Sequence, residues 1–226
     1  MIFQQVYGFG KVSATIKGAP GETVTYTGAE SGSVELDSDG EATVTLKSGD
    51  YSLTGSVSNY TATCRLRPQE SVMGVYPENY IYWYGRIRDG HELKTGLGTT
   101  DTFRLRHVTQ ETNDIEVFAQ ARAYNGTAYN TYAAAYFDDI DLTGFTTINF
   151  SIGSVFDENG SSERTCGQAT NDTYKFNTEF TVAGDYAVTI DPNITRKPIG
   201  VRQYLGSSST SSWKKRSFTL AALWLE

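Results

Sequence analysis

The chain has 226 residues, of which 38% are hydrophobic and 13% aromatic, and this proportion is sufficient to build packed cores. Its formal net charge of −7 argues against a protein that binds nucleic acid through a basic surface. No apolar run approaches the ~20 residues of a membrane span, and the N-terminus lacks the basic and apolar regions of a signal peptide. The sequence therefore predicts no nucleic-acid partner, no membrane span and no signal peptide.

Short segments with alternating side chains fill residues 1–66. EATVTLK, for example, places Ala42, Val44 and Leu46 on one face and polar residues on the other. Such segments recur roughly every eight to twelve residues and are separated by turn sequences such as DSDG and SGD. This spacing is typical of an antiparallel β-sandwich.

The stretch RLRPQESVMGVYP interrupts the alternation with prolines, charges and a glycine, and residues 67–75 within it are predicted to form a linker. Residues 76–226 are again rich in alternating segments but have longer loops. About eight strands are expected there, which suits a jelly roll of two packed sheets. The predicted fold class is all-β, with two tandem antiparallel β-sandwich domains.

Three details of the sequence are specific enough to be tested. DTFRLRHV places Phe103, Leu105 and His107 on one face, and this face is expected to be buried, with His107 as a core histidine. SSERTCGQATND is expected to be a loop that exposes Cys166, whereas Cys64 lies in an extended segment, YTATCRL. Two cysteines are too few for a disulfide scaffold, and whether they pair is left open.

The sequence offers little for catalysis, and a non-enzymatic protein is predicted. The chain has two histidines, His91 and His107, and no G-x-S-x-G motif, so neither a catalytic triad nor a histidine-rich metal site is indicated. A glycosidase needs only two carboxylates at a suitable distance. Five acidic residues qualify with nothing to choose among them, namely Glu116, Glu158, Glu163, Glu179 and Asp185.

No cofactor or metal is predicted. The segments YFDDIDLTG, with Asp138, Asp139 and Asp141, and DENG carry oxygen ligands at spacings that calcium can use. Neither fits the twelve-residue EF-hand loop, and polar turns before strands need no ion. A structural calcium ion is therefore left open and is not predicted.

Tyrosine, asparagine and serine are concentrated in two segments near loops. ARAYNGTAYNTYAAAYFDD places several tyrosines around the Asn125-Gly126 pair, a strong hairpin signal, and GSSSTSSWKKRSF ends in Trp213 and basic residues. Tyrosine provides a large contact area at a low cost in conformational entropy. These side chains are expected to cover their own sandwich, to contact a neighbouring subunit, or to contact a glycan. The predicted contact residues are Tyr124, Asn125, Tyr129, Tyr132 and Trp213.

Several segments together resemble a known type of protein. APGETVTYTG and DSDGEATVTLKSGDYSLTGSVSNYT resemble the small Ig-like or prealbumin-like modules in tail and surface proteins of bacteriophages of Gram-positive gut bacteria. NYIYWYG resembles the opening of a jelly-roll module that often follows them, and IDLTGFTTINFSI and LAALWLE resemble its middle and last strands. The resemblance gives domains at residues 1–66 (Ig-like or prealbumin-like) and 76–226 (jelly roll), but it carries over no functional residues.

The resemblance implies a non-catalytic virion protein of the tail tip, baseplate or capsid exterior, on the outer face of a particle. The expected partners are other virion proteins, and host-surface glycans are a further expected ligand. We expect a homo-oligomer, specifically a trimer, because a symmetric assembly can bury exposed sheet edges. The alternatives are a bacterial secreted or surface carbohydrate-binding module and, third, a polysaccharide hydrolase.

Overall fold

The computed structural model describes residues 10–68, 71–125, 127, 129–158, 163–170, 174–206 and 212–226. The regular secondary structure within these ranges consists of β-strands, and no helix among them is long and apolar enough to cross a membrane. The chain forms two compact units, Met1–Glu78 and Asn79–Glu226. The predicted all-β fold with tandem β-sandwich domains is confirmed.

The first unit is a sandwich of a three-stranded and a four-stranded sheet, with strand orders β4-β1-β7 and β3-β2-β5-β6. Apolar side chains from both sheets, including Ile16, Val24 and Leu53, form its core. The strands are β1 (Lys11–Lys17), β2 (Thr23–Gly28), β3 (Gly32–Glu35), β4 (Glu41–Lys47), β5 (Gly49–Gly55), β6 (Thr61–Leu66) and β7 (Val72–Gly74).

The structure differs from the linker predicted at residues 67–75. Strand β7 lies in this stretch and pairs in parallel with β1, and the side chains of Met73 and Val75 are buried in the first core. The division between the units falls after Glu78. Sequence analysis missed β7 because a strand of three residues is too short to show alternating side chains, and prolines and charged residues lie around it.

The second unit is a jelly roll. Its strands are β8 (Tyr80–Trp83), β9 (Arg86–Ile87), β10 (Lys94–Leu97), β11 (Arg104–Gln110), β12 (Ile115–Ala121), β13 (Thr131–Asp141), β14 (Thr147–Glu158), β15 (Glu163–Ala169), β16 (Phe176–Glu179), β17 (Gly184–Thr189), β18 (Arg196–Leu205) and β19 (Lys214–Leu225). Two four-stranded arrays, β12-β19-β14-β17 and β13-β18-β15-β16, face each other, which is the jelly-roll strand order. Strand β11 extends the first array beside β12, and β10 extends the second beside β13.

The prediction for the orientation of β11 was wrong, because its arginines face the interior. Arg106 is paired with Ala119 of β12, and Val108 is paired with Val117. Directly opposite residues share a face, and both β12 residues are fully buried. Leu105 therefore points outward and is 47% exposed. As an edge strand, β11 takes its register from the more deeply buried β12, and its own hydrophobic residues do not decide it.

His107 accordingly lies on the outer face of its sheet and not in the core. Its ring stacks on Phe118 with centroids 4.5 Å apart. Its Nε2 lies 3.1 Å from Glu116 Oε2.

The segment SSERTCGQATND is not a loop throughout, since it contains β15. Cys166 faces the core and is fully buried, whereas Cys64 on β6 is half-buried, and both are free thiols. Sequence analysis missed this strand because Arg164 and Gln168, which flank Cys166 at alternate positions, are polar but buried. Burial raises the pKa of the Cys166 thiol to about 12.

We expect Cys166 to be unreactive in the folded protein. In a Cys64→Ser background, a thiol reagent at pH 8 should modify Cys166 only after denaturant is added, because the reactive thiolate is suppressed and the sulfur is covered. Mass spectrometry before and after unfolding measures this. Rapid labelling of the native Cys64→Ser protein would contradict the placement of β15.

Candidate functional site

Three of the predicted contact residues meet at one end of the jelly roll. The ring of Phe103 stacks on Tyr124 at 4.7 Å and on Tyr129 at 5.0 Å between centroids. The guanidinium of Arg122 lies 5.6 Å from the ring centroid of Phe103 and 4.7 Å from that of Trp213. We call Phe103, Arg122, Tyr124, Tyr129 and Trp213 the aromatic cluster.

Asp101 and Arg104 attach the turn before β11 to the segment before β13. Asp101 Oδ1 accepts a hydrogen bond from the backbone N–H of Phe103 at 2.8 Å, and its Oδ2 accepts one from Arg104 Nε at 3.0 Å. Arg104 Nη1 donates to the carbonyl of Asn130 at 3.4 Å, and its guanidinium lies 5.2 Å from the ring of Tyr129. The stacked rings are therefore held by two segments that are bonded to each other.

Tyr124 is the most accessible ring of the aromatic cluster. Its side chain is 52% exposed, whereas Phe103, Tyr129 and Trp213 are half-buried. Its backbone exchanges hydrogen bonds with Thr127 at 2.9 and 3.0 Å. Asn125 is exposed in the turn between them and has a positive φ of 49°, a conformation that asparagine tolerates. Gly126, the second residue of the predicted turn, lies outside the described residues.

Tyr132 does not join the aromatic cluster, because it faces outward on the five-stranded sheet. There it is paired with Tyr204, and the guanidinium of Arg202 lies 4.9 Å from each of the two rings. An adjoining pocket of ≈ 470 Å³ is lined by both tyrosines together with Leu97, Gly98, Thr99, Asn130 and Thr131. The pocket therefore combines aromatic faces with hydroxyl and amide groups, and Asn130 connects it to Arg104 of the segment described above.

Near the same end, a row of inward-facing residues that includes two arginines and an aspartate crosses one sheet of the sandwich. Arg106, Ala119, Arg216 and Asp157 are direct neighbours on β11, β12, β19 and β14. Arg216 is fully buried, and its Nη1 lies 2.9 Å from Asp157 Oδ1. Arg164, from β15 of the facing sheet, donates from Nη1 to Asp157 Oδ2 at 3.2 Å, and its Nη2 bonds to Asp157 Oδ1. We call Asp157, Arg164 and Arg216 the ion-pair cluster.

Asp157 is held in its ionised form. Burial acts to raise its pKa, but the hydrogen bonds from Arg164 and the charges of Arg164 and Arg216 outweigh burial and hold the pKa below its ordinary value. One carboxylate thus faces two guanidinium groups between the sheets.

The acidic residues considered for calcium are bonded to groups of the protein itself. Asp138 accepts a hydrogen bond from Lys94 Nζ at 2.9 Å, Asp139 accepts one from Arg196 at 2.9 Å, and Asp141 accepts one from a backbone N–H at 3.0 Å. Within the described ranges, no group of three or more His, Cys, Asp or Glu side chains is arranged to hold a metal ion.

Sequence analysis missed Phe103 and the arginines of this region. Phe103 was assigned to a buried strand face, although it lies in the turn before β11. Arg106 and Arg122 belong to the segments FRLRHV and ARAYNG, where arginine alternates with apolar or small residues. In FRLRHV the alternation shows that Arg104 and Arg106 share a face, but it does not show that their face is the inner one.

Comparisons with known proteins give no family for the chain. No family model and no curated protein matches it. A solved structure of a DUF3823 family protein from Parabacteroides merdae is 10% identical, with a TM-score of 0.27 over 96% of this chain and 99% of that chain. A structure of infectious bursal disease virus is 11% identical, with a TM-score of 0.17 over 96% of this chain and 61% of that chain.

We expect the substitution Asp157→Asn to lower the free energy of unfolding by about 1–3 kcal/mol, because it leaves the buried Arg164 and Arg216 without their carboxylate. The effect is smaller than for a fully buried pair, since the side chain of Asp157 is 43% exposed and solvent screens its charge. The folded-state pKa of Asp157 is lowered, so its contribution is complete above the ordinary aspartate pKa and is lost as the pH falls through the lowered value. The difference between wild type and variant, measured by urea unfolding, should therefore be largest near pH 7 and shrink below about pH 4.

Asp139→Asn is the matched control, since Asp139 also pairs with an arginine but its side chain is 73% exposed. Exposed pairs contribute about 0–1 kcal/mol. Equal effects of the two substitutions would contradict the role given to the ion-pair cluster.

Proposed function

We propose that the chain is a non-catalytic structural and adhesion protein of a bacteriophage virion, at the tail tip, baseplate or capsid exterior, and that the loop end of its jelly roll contacts host-surface glycans. The observation that carries the glycan contact is the exposed ring of Tyr124, stacked on a supported aromatic cluster, together with the nearby pocket of Tyr132 and Tyr204.

Such a surface matches the chemistry of a sugar. Aromatic rings stack against the apolar C–H face of a pyranose, and the groups of Thr99, Asn130 and Thr131 can exchange hydrogen bonds with its hydroxyls. Because the stacked rings and the Arg104 bonds fix the loops in the free protein, little conformational entropy would be lost on binding. Rigid tyrosines beside adaptable polar groups are common in recognition surfaces.

The virion role rests on the resemblance of the sandwich and jelly-roll segments to phage tail and surface modules. The edge strands support an oligomer, because β17 and β16 end their sheets and expose one side of their backbone in the single chain. A homotrimer that contacts other virion proteins would cover such edges. Localisation on the outer face of a particle is part of the proposal.

A bacterial secreted or surface carbohydrate-binding module is the second candidate, since the same pocket and rings would serve it. The two candidates differ in where the protein occurs and not in how it binds. A polysaccharide hydrolase ranks third, and cleavage that is abolished by replacing one acidic residue would establish it.

We expect Tyr124→Ala to weaken binding to polysaccharide purified from the host envelope by about 10-fold, because one stacked ring contributes about 1 kcal/mol or more. Phe156→Ala is the matched control, since Phe156 is 51% exposed and belongs to β14, outside the aromatic cluster. Biolayer interferometry with immobilised polysaccharide measures both variants. Equal affinities of wild type, Tyr124→Ala and Phe156→Ala would exclude this surface.

For the virion role, we expect antibodies against this chain to label purified particles at the tail or on the capsid exterior in electron microscopy. Analytical ultracentrifugation of the full chain should give the mass of a trimer. Labelling of bacterial cells but not of particles would favour the carbohydrate-binding module, and a monomer at high concentration would reject the trimer.

A further inference from the structure

Arg122 is the charged member of the aromatic cluster, and its guanidinium is in contact with two rings. Its Cζ atom lies 4.7 Å from the ring centroid of Trp213 and 5.6 Å from that of Phe103. The backbone N–H of Arg122 donates to the carbonyl of Phe103 at 3.0 Å, which fixes the start of the side chain. Because a guanidinium is planar and stacks on aromatic faces, its N–H donors remain available in its own plane. The orientation of these donors is therefore set in the free protein.

The donors of Arg122 have no acceptor in the described part of the chain. Its Nε–H is buried without a hydrogen bond, whereas Nη1 and Nη2 are not buried and bond to no described residue. Asp101, in the turn beside Phe103, is bonded to Arg104 and to the backbone instead. No acidic residue occurs among the undescribed residues that adjoin the cluster in sequence, namely 126, 128 and 207–211. Arg122 thus presents accessible donors that no described carboxylate neutralises.

A second cation adjoins Arg122. Lys214 directly follows Trp213 and is the cross-strand partner of Ala121, the residue before Arg122. Lys214 is half-buried, and it too forms no ion pair with a described residue. Two neighbouring cations without carboxylate partners give this side of the aromatic cluster a positive potential, although the net charge of the chain is −7.

Arg122 and the exposed ring of Tyr124 are close enough for one ligand to contact both. Each packs on Phe103, since the ring of Tyr124 lies 4.7 Å from its centroid and the guanidinium of Arg122 lies 5.6 Å from it. Carboxylate and phosphate oxygens match the planar fork of arginine donors and form two parallel hydrogen bonds with it. Because stacking already orients both side chains, little conformational entropy would be lost when a ligand binds them together.

We propose that Arg122 binds the acid group of an acidic polysaccharide, a carboxylate or a phosphate, while the sugar that carries this group or its neighbour stacks on Tyr124. The inference rests on the proposed glycan contact and names the chemical class of the glycan. Arg122 is then the residue that selects acidic over neutral sugars, whereas Tyr124 contributes affinity for both.

The test compares polymers with and without the acid group. Biolayer interferometry of the full chain measures binding to polygalacturonate and to its full methyl ester, in which the same sugars are uncharged. Phosphomannan and the mannan left after removal of its phosphates form the corresponding pair. We expect one acidic polymer to bind about 10-fold or more tightly than its neutral partner, because charge-assisted hydrogen bonds are about twice as strong as neutral ones. The pair that shows this preference identifies the acid group.

Two results with the wild-type chain overturn the proposal. One is equal affinity within both pairs, and the other is no binding to either acidic polymer. Single-stranded nucleic acid also combines rings with an acid group, so oligothymidylate is the further probe. Binding of oligothymidylate in place of the acidic polysaccharides overturns the proposal as well.

Arg122→Gln should lower the affinity for the acidic polymer to that for its neutral partner and leave the neutral polymer unaffected. If Arg122 only supported the rings of Phe103 and Trp213, the substitution would weaken both polymers alike, and that result overturns the proposal. Arg122→Lys keeps the charge without the planar fork and should retain only part of the preference, so it serves if Arg122→Gln does not fold. A full preference with Arg122→Gln, or with Arg122→Lys where Arg122→Gln does not fold, overturns the proposal.

Arg88→Gln is the matched control, since Arg88 likewise forms no ion pair with a described residue. Its backbone N–H donates to Ile81 of β8, which pairs with the C-terminal part of β19, whereas Trp213 precedes the first residue of β19. Arg88→Gln should keep the full preference for the acidic polymer. Equal losses with Arg88→Gln and Arg122→Gln would show a general effect of charge and overturn the proposal.

The two proposals fail in distinguishable ways. Tyr124-dependent binding to host polysaccharide, without a preference for acidic polymers, would reject the acid contact and leave the glycan contact standing. Arg122-dependent binding to an acidic polymer that Tyr124→Ala does not weaken would keep the acid contact and reject the stacked sugar.

Discussion

Asp157 joins the two sheets of the jelly roll at the end where the candidate site lies. It belongs to β14 of one sheet, where it pairs with Arg216, and it accepts hydrogen bonds from Arg164 of the other sheet. This connection is polar, whereas the rest of the interior is held by apolar residues such as Phe150, Val201 and Phe218. Trp213 of the aromatic cluster directly precedes β19, the strand that carries Arg216, so the ion-pair cluster holds the strand from which this side of the site starts.

A charged cross-link is an unusual choice if stability is the only requirement. Well-packed hydrophobic residues often stabilise a fold as much as a buried ion pair does, because each buried ion loses its hydration. The small neighbour Ala119 is itself fully buried and packs with Ala121 and Leu205. Two arginines on one carboxylate instead fix how β14, β15 and β19 align, because charged hydrogen bonds are directional.

Sequence patterns predicted the fold because most strands alternate strongly and turn residues separate them. They failed where burial and polarity disagree. Strand β15 was missed because its inward-facing residues include Arg164 and Gln168, which are polar. The predicted orientation of β11 was wrong because Leu105 is exposed, whereas Arg106 is half-buried. At the site, Tyr124, Tyr129 and Trp213 were predicted from composition alone. Their support by Phe103 and Arg122 depends on contacts between segments about twenty and about ninety residues apart, which one sequence does not reveal.

The aromatic cluster also shows that covering the protein and contacting a partner are compatible roles. Phe103, Tyr129 and Trp213 are half-buried and pack on one another or on arginines, so they complete the end of the sandwich. Tyr124 stacks on this layer and leaves about half of its surface to solvent. A ring held from below by stacking has little freedom to lose when a ligand covers its outer face. The inner rings thus hold the outer ring in place in the free protein.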